Sequence, residues 1–305
     1  MPTAPMRSTD FRSVVEPILN EVYDGIYDQR ADEWKQIFKE RNGTPRAYHE
    51  EPVLYAFGVA PEIPDGTPVT YDAGGELFVQ RYVYRVYGLA FALTKILVED
   101  GDHIRIGTIY SEGLAQSMIE TKETLCANVM NRAFNGSYLG GDGQPLNSAS
   151  HPIVGGTFSN LLTQSAAMSQ TSVEQMLIQI RNAVDNNGKR IRLNPLKLVT
   201  GPSNVFQAEV ILKSVLRTGA ANNDINPVKS MGLLSEGQAN LARITSTTAW
   251  WIQTNAPKGL QLMMRRRIQK SMEGDFETDS MRYKSTERYK EGWTDPRTVW
   301  GTPGS

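Results

Sequence analysis

The chain has 305 residues, a formal charge of −1, 26 glycines, 16 prolines and one cysteine. That length allows two domains or one body with large appendages, and so even a charge balance argues against a protein dedicated to gripping phosphate backbones. The lone Cys126 excludes an intrachain disulfide, no apolar core marks the N-terminus as a signal peptide, and the strongest apolar run, Tyr87 to Val98, is too short to span a bilayer; a soluble product of a reducing cytosol is expected.

In chain order, Phe11, Val14, Val15, Ile18, Leu19, Val22 and Tyr23 recur at helical spacing, with Pro17 and Gly25 expected to interrupt them. Trp34, Ile37 and Phe38 restart the pattern and Asn42-Gly43 ends it. Residues 10 to 40 are apolar enough to need a partner surface and too short to build a core, so they read as an arm. From Pro52 the texture turns to β. Val53 to Val59, a turn around Pro64-Asp65-Gly66, Asp72-Ala-Gly-Gly75 and the run Glu76 to Tyr87 predict a long two-stranded ribbon over roughly 52–87. An isolated hairpin is marginal in water. Apolar side chains occupy both of its faces, with Arg81 and Arg85 among Tyr82, Val83, Tyr84 and Val86, so a neighbour is expected to cover it.

Gly88 to Val98 reads as helix, Gly101-Asp102 as a break, and Ile106 to Phe134 as one long helix of about 45 Å at 1.5 Å per residue. Asn135 to Pro152 is rich in glycine and small polar residues and reads as a specified elbow between two bodies. It leaves a helix and precedes no Gly-Lys-Ser/Thr, so neither phosphate-binding fingerprint is met. Thr171-Ser-Val-Glu174 has the pattern of a capping box opening a helix through Val173, Met176, Leu177 and Ile180. Leu196 to Thr200 reads as a strand, and Pro202-Ser203 as the start of a helix with Val205, Phe206, Val210, Ile211, Val215 and Leu216 on its core face. Leu241 to Thr245, Trp250 to Gln253, Gly259 to Met264 and Met281 to Tyr289 read as further strands. The alternation over 165–264 is the stretch able to build a full α/β core. Trp250 and Trp251, adjacent on a strand, point to opposite faces, which frees one to meet an element outside its own sheet.

Little here asks for a substrate. His49, His103 and His151 lie in three unlike segments, and His-x-x-x-His, Cys-x-x-Cys and Gly-x-Ser-x-Gly are absent. Ser148 or Ser150 beside His151 is the best nucleophile that could be forced, and loop capping explains both better. No catalytic residue, cofactor or metal site is expected. The basic knot Arg265-Arg266-Arg267 with Lys270 is followed by Glu273, Asp275, Glu277 and Asp279, strings of opposite sign that suit contacts between protein surfaces.

Asn131-Arg-Ala-Phe-Asn135 leading into Gly140-Gly-Asp-Gly-Gln-Pro-Leu146, then Ser150-His-Pro152, resembles the major capsid proteins of tailed bacteriophages, most closely the group that includes the Mu-like major head subunit. Gly88-Leu-Ala-Phe-Ala-Leu-Thr94, Thr247-Thr-Ala-Trp-Trp251, Asp279-Ser-Met-Arg-Tyr-Lys284, Arg288-Tyr-Lys-Glu-Gly292 and Asp295-Pro-Arg297 match in the same order, from about residue 45 to the C-terminus. The resemblance implies an α+β protein of the Hong Kong 97-type capsid fold: an N-terminal arm (1–50), an extended β-hairpin loop (51–90), a peripheral domain (91–150) with a spine helix (106–134), an axial domain (151–275) and a C-terminal return (276–305). It implies an icosahedral head shell enclosing double-stranded DNA without sequence-specific contact, located in the virion and assembled in the bacterial cytoplasm. The implied partners are further copies in hexamers and pentamers and a portal protein, with a separate scaffolding protein or none, a decoration protein present or absent, and no membrane. Arg81, Tyr82, Tyr84, Arg85, Trp251, Arg265, Arg266 and Arg267 are the expected inter-subunit contacts. In some relatives the extended loop carries a lysine that forms an isopeptide bond; no lysine occurs here between Lys39 and Lys95, so no such crosslink is expected. Met1 lies only about 50 residues before the ribbon, so no fused scaffold is expected and the arm should stay attached. A nanocompartment shell holding a protein cargo, and an α/β hydrolase-type enzyme, are the alternatives.

Overall fold

The computed structural model describes residues 8–29, 32–217, 224–275 and 280–304; Glu277, Asp279 and the side chains of Phe11 and Val14 lie outside the described set. Helix α1, Ser8–Gln29, runs through Pro17 and Gly25 without the expected interruption. A 3-10 turn at Glu33–Gln36 and strand β1, Lys39–Asn42, replace the expected second helical stretch. β2 (Tyr48–Tyr55) pairs antiparallel with β3 (Gly75–Val83), with Tyr48 opposite Val83 and Tyr55 opposite Gly75. Residues 56–74 between them contain no strand, so the ribbon is shorter than expected.

β4 is Arg85–Leu93, a strand that runs on through Gly88–Leu93 where helix was expected, followed by α2 (Lys95–Glu99) and the long α3 (His103–Asn131). Past the elbow come β5 (His151–Ile153), β6 (Gly156–Phe158), α4 (Gln170–Arg181), β7 (Pro195–Thr200), α5 (Val205–Lys213), α6 (Pro227–Ser230), β8 (Gln238–Asn240), β9 (Trp250–Thr254), β10 (Leu260–Asp275), β11 (Ser280–Trp293) and β12 (Val299–Thr302). The capping box of α4 is made by Ser169 and Ser172, each side chain accepting the other's backbone N–H, not by Thr171 and Glu174. Leu241 to Thr245 is a turn, not a strand.

Two four-stranded sheets organise the chain, in the orders β1-β10-β11-β4 and β12-β9-β7-β8. Pairing with β11 explains why β4 is not helical. Phe91 lies opposite Tyr283 and Gly88 opposite Thr286, where an added Cβ would come 2.7 Å from the threonine methyl. Strand pairing here overrides the helical leaning of the Leu and Ala residues.

Three cores follow. Trp251, Trp34, Met130, Tyr289 and Leu262 centre the first, between α3 and the two sheets. Trp250, Met176, Ile180, Leu198 and Ile211 centre the second, on the other side of β9. The tryptophan pair thus serves both faces of one strand, and both cores belong to this subunit. The third core joins Val15, Leu19 and Tyr23 of α1 to Leu93, Leu114, Ala115, Met272, Met281 and Tyr283. The arm therefore finds cover within its own chain, contrary to expectation. Burial on both sides of Pro17 keeps α1 helical despite the hydrogen bond that proline forfeits. The apolar face expected to bury α5 is largely in water: Ala208 and Ile211 are buried while Phe206, Val210, Val215 and Leu216 are exposed. No described helix is long and apolar enough to cross a membrane.

Candidate functional site

The elbow is a polar hub. Asp142 Oδ2 lies 2.6 Å from His151 Nδ1, and Asn160 Oδ1 lies 3.1 Å from His151 Nε2, all three buried. Asn160 is held by donating to the carbonyls of Leu146, Pro296 and Val299 at 2.8, 3.0 and 3.0 Å. Phe158 stacks on His151, and the Arg297 guanidinium lies 4.2 Å above the Phe158 ring. Both imidazole nitrogens are thus occupied by Asp142 and Asn160. Ser148 and Ser150 turn their hydroxyls to Gln144 instead, at 2.9 and 3.2 Å, so no serine–histidine pair forms. Burial pushes the Cys126 thiol up, away from thiolate chemistry. Among the described residues no group of His, Cys, Asp and Glu is placed to hold a metal.

The ribbon is where the described residues leave the most apolar surface exposed. Its root is bolted down: Glu51 accepts from Arg41 at 3.0 Å, Gln261 at 3.1 Å and Thr294 at 2.5 Å. The turn at 185–189 adds Asn186 to the Leu54 carbonyl at 2.9 Å and Lys189 to the Phe57 carbonyl at 2.6 Å. Gly141 of the elbow passes so close that an added Cβ would sit 2.5 Å from the Val79 carbonyl, which explains a glycine there. Beyond this root, Phe57, Val59, Val69 and Tyr71 stand in water, Tyr71 at 97% exposure. Contiguous exposed apolar surface of this kind marks an interaction site. Residues 47–80 hold no lysine or arginine, and the tip carries Glu62, Asp65 and Asp72, with Glu76 just beyond it in β3.

The expected contact residues divide. Tyr82, Tyr84 and Trp251 are 1%, 5% and 1% exposed, spent inside the subunit. Tyr82 hydrogen-bonds Thr294 at 2.7 Å, the Tyr84 hydroxyl accepts from the Thr44 N–H at 3.0 Å, and the Trp251 indole donates to Asn147 at 3.1 Å. They are internal packing, a correction forced by their depth. The arginines stay accessible: Arg81 pairs with Glu50 at 2.6 Å, Arg85 is exposed opposite Tyr289, Arg267 pairs with Glu40 at 2.6 Å, and Arg265 donates to the Pro45 carbonyl at 2.9 Å. The structure does not gather them into one site.

Arg266 meets a residue that the sequence reading missed. It lies directly opposite Arg288 where the β10–β11 register slips. Arg288 belongs to an outward row on β11 with Arg282, Lys284 and Lys290, alternating with buried Met281, Tyr283, Ser285, Glu287 and Tyr289. The period-two charge pattern over 281–290 was the available signal. Across β4 this face is small, with Val86, Gly88, Ala90 and Ala92 opposite Arg288, Thr286, Lys284 and Arg282.

Comparison with known proteins accounts for this architecture. A search of curated protein sequences finds no match. The structure is similar to the capsid of cyanophage P-SCSP1u, with 11% identity, TM-score 0.57, and 90% of this chain and 89% of that one covered. It is similar to the procapsid of bacteriophage JBD30, at 13% identity and TM-score 0.52 over 98% and 76% of the two chains. A virus-like particle from Pyrococcus furiosus matches at 10% identity and TM-score 0.53 over 94% and 98%. These likenesses give the Hong Kong 97-type capsid fold, in which the mixed sheets and long α3 have their place. The phage capsid protein family model matches residues 81–301. The chain therefore belongs to the phage capsid protein family, with the fold of the subunits that build tailed-phage head shells.

Proposed function

We propose that this subunit builds a closed head shell around double-stranded DNA, held by non-covalent contacts that each copy completes for its neighbours. In this reading residues 1–50 are the arm, 51–90 hold the extended loop (its β2–β3 ribbon lying across an adjacent subunit), 91–150 the peripheral domain and 151–275 the axial domain, with 276–305 returning to the peripheral domain, although β4 and β10 share the sheet of β11, and β12 ends in the sheet of β9. The exposed apolar residues of the axial domain, among them Phe206, Val215, Ile225 and Met231, meet their copies at hexamer and pentamer centres. A portal protein completes the particle, any scaffolding protein is a separate chain, assembly takes place in the host cytoplasm, and the subunit performs no catalysis. The supporting observation is the ribbon: a root fixed by buried hydrogen bonds carries a tip whose apolar side chains are left exposed by the described residues. Repetition over a closed shell makes modest individual interfaces sufficient. The test is expression of the full chain, electron microscopy of the product and analysis of native particle contents. Uniform closed shells and packaged DNA are expected; a monodisperse monomer, or particles filled with a protein cargo, would overturn the reading.

A further inference from the structure

Arg266 and Arg288 face each other across β10 and β11. Like charges directly opposite on a sheet are destabilising, and no carboxylate of this chain forms an ion pair with either arginine among the described residues. Arg266 donates one Nη2 bond to Thr286 at 3.0 Å, and the Arg288 guanidinium lies 6.0 Å over the Tyr84 ring. The Nε–H of each is buried and has no partner. Two half-buried guanidiniums with no facing carboxylate, on a face flanked by Lys284, form a site for a carboxylate or another oxyanion reached through their terminal Nη groups.

We propose that this arginine pair receives the acidic ribbon tip of a neighbouring copy, with Glu62 and Asp65 as its anions. The inference rests on the shell reading above and adds the place of contact. Charge complementarity selects the occupant. The strandless residues 56–74 carry three carboxylates and no cation, and the segment extends from a bolted root with exposed apolar side chains. The row of Val86, Gly88, Ala90 and Ala92 on β4 leaves the floor beside the arginines low enough for Ile63 and the tip prolines to lie flat. One competing surface is the cleft of about 440 Å³ beside β1, rimmed by Lys39 and Lys258. Its buried orphaned groups are Gln253 Oε1 and Gln261 Oε1, both acceptors, which do not match a carboxylate.

The experiment uses the full chain, first confirming that wild type assembles, since failure there sinks the shell reading and not the contact. Arg288→Gln should raise the concentration needed for assembly about tenfold or more. In the dissociated subunit the same change removes a like-charge repulsion, so its thermal midpoint should stay level or rise; a purely structural arginine would lower it. Arg266→Glu with Arg288→Glu should block assembly, as should Glu62→Arg with Asp65→Arg, and all four changes in one chain should restore it. Should the double reversal misfold, Arg288→Gln still decides the matter. Normal assembly of Arg288→Gln, or failure of the four-fold exchange to recover when each pair alone is folded and inactive, overturns the proposal. So does a block produced by Lys39→Glu with Lys258→Glu while Arg288→Gln assembles normally.

Discussion

Replacing Lys122 by methionine should unfasten the arm helix. Lys122 Nζ lies 3.0 Å from Glu287 Oε1, the Tyr27 hydroxyl donates to the same oxygen at 2.5 Å, and the two charged side chains are 8% and 2% exposed. These groups come from α3, β11 and α1, so one buried ion pair ties three elements. At 3 Å the attraction is about 5–6 kcal/mol with an effective dielectric of about 20, and desolvation cancels much of it. Removing only the cation leaves Glu287 charged, buried and with its second oxygen unpartnered. The expected loss is therefore about 3–5 kcal/mol. Burial and the neighbouring Glu287 push the Tyr27 phenol up, so it remains a donor and cannot replace the lost charge. Lys122→Met with Glu287→Gln removes both charges and keeps an acceptor for Tyr27; it should recover about 2 kcal/mol or more of the single-mutant loss. Denaturant unfolding of the dissociated subunit, read beside protease cleavage within α1, measures both. A single mutant within about 1 kcal/mol of wild type, or a double mutant as unstable as the single, would refute this reasoning.

Asn160→Asp should destabilise the subunit by about 3 kcal/mol or more, because it sets a carboxylate against three backbone carbonyls in a buried hub; an unchanged thermal midpoint would contradict that. Burial raises the Glu123 carboxyl above the usual glutamate range, although the Glu33 and Trp34 N–H groups oppose the shift. A raised folded-state value means that its contribution is fully present below the ordinary glutamate range and fades as pH climbs through the raised value. The midpoint of wild type relative to Glu123→Gln should accordingly fall over that interval, and a flat difference would be the wrong outcome. Boiled particles should run on a denaturing gel as a single monomer band, since the ribbon has no lysine to offer; a ladder would show a covalent bond from elsewhere.

The parts of this fold that were legible in sequence are those fixed by local chemistry. The stripe of α3, the glycine-rich elbow and the opposed tryptophans of β9 follow from periodicity and from backbone demands. What failed was decided by partners distant in sequence. Pro17 sits inside α1 because buried residues flank it, and Gly88 to Leu93 is a strand because β11 lies beside it. Phe206 and Val210 obey helical spacing yet face water, since spacing identifies an apolar face without saying which molecule covers it. The same limit hid the arginine pair: Arg266 and Arg288 are 22 positions apart, and only the slipped register places them opposite each other. Tyr82, Tyr84 and Trp251 went wrong in the other direction, as aromatics apt for an interface that the subunit uses for its own core.

The decisive measurement is hydrogen exchange across residues 56–74, compared between dissociated subunits and assembled particles. Rapid exchange in the free subunit and strong protection after assembly is the predicted result, because Phe57, Val59, Val69 and Tyr71 are exposed among the described residues and the shell reading covers them with a second copy. Equal exchange in both states, or a lone subunit whose tip is already protected, would contradict the claim that sister molecules complete this chain.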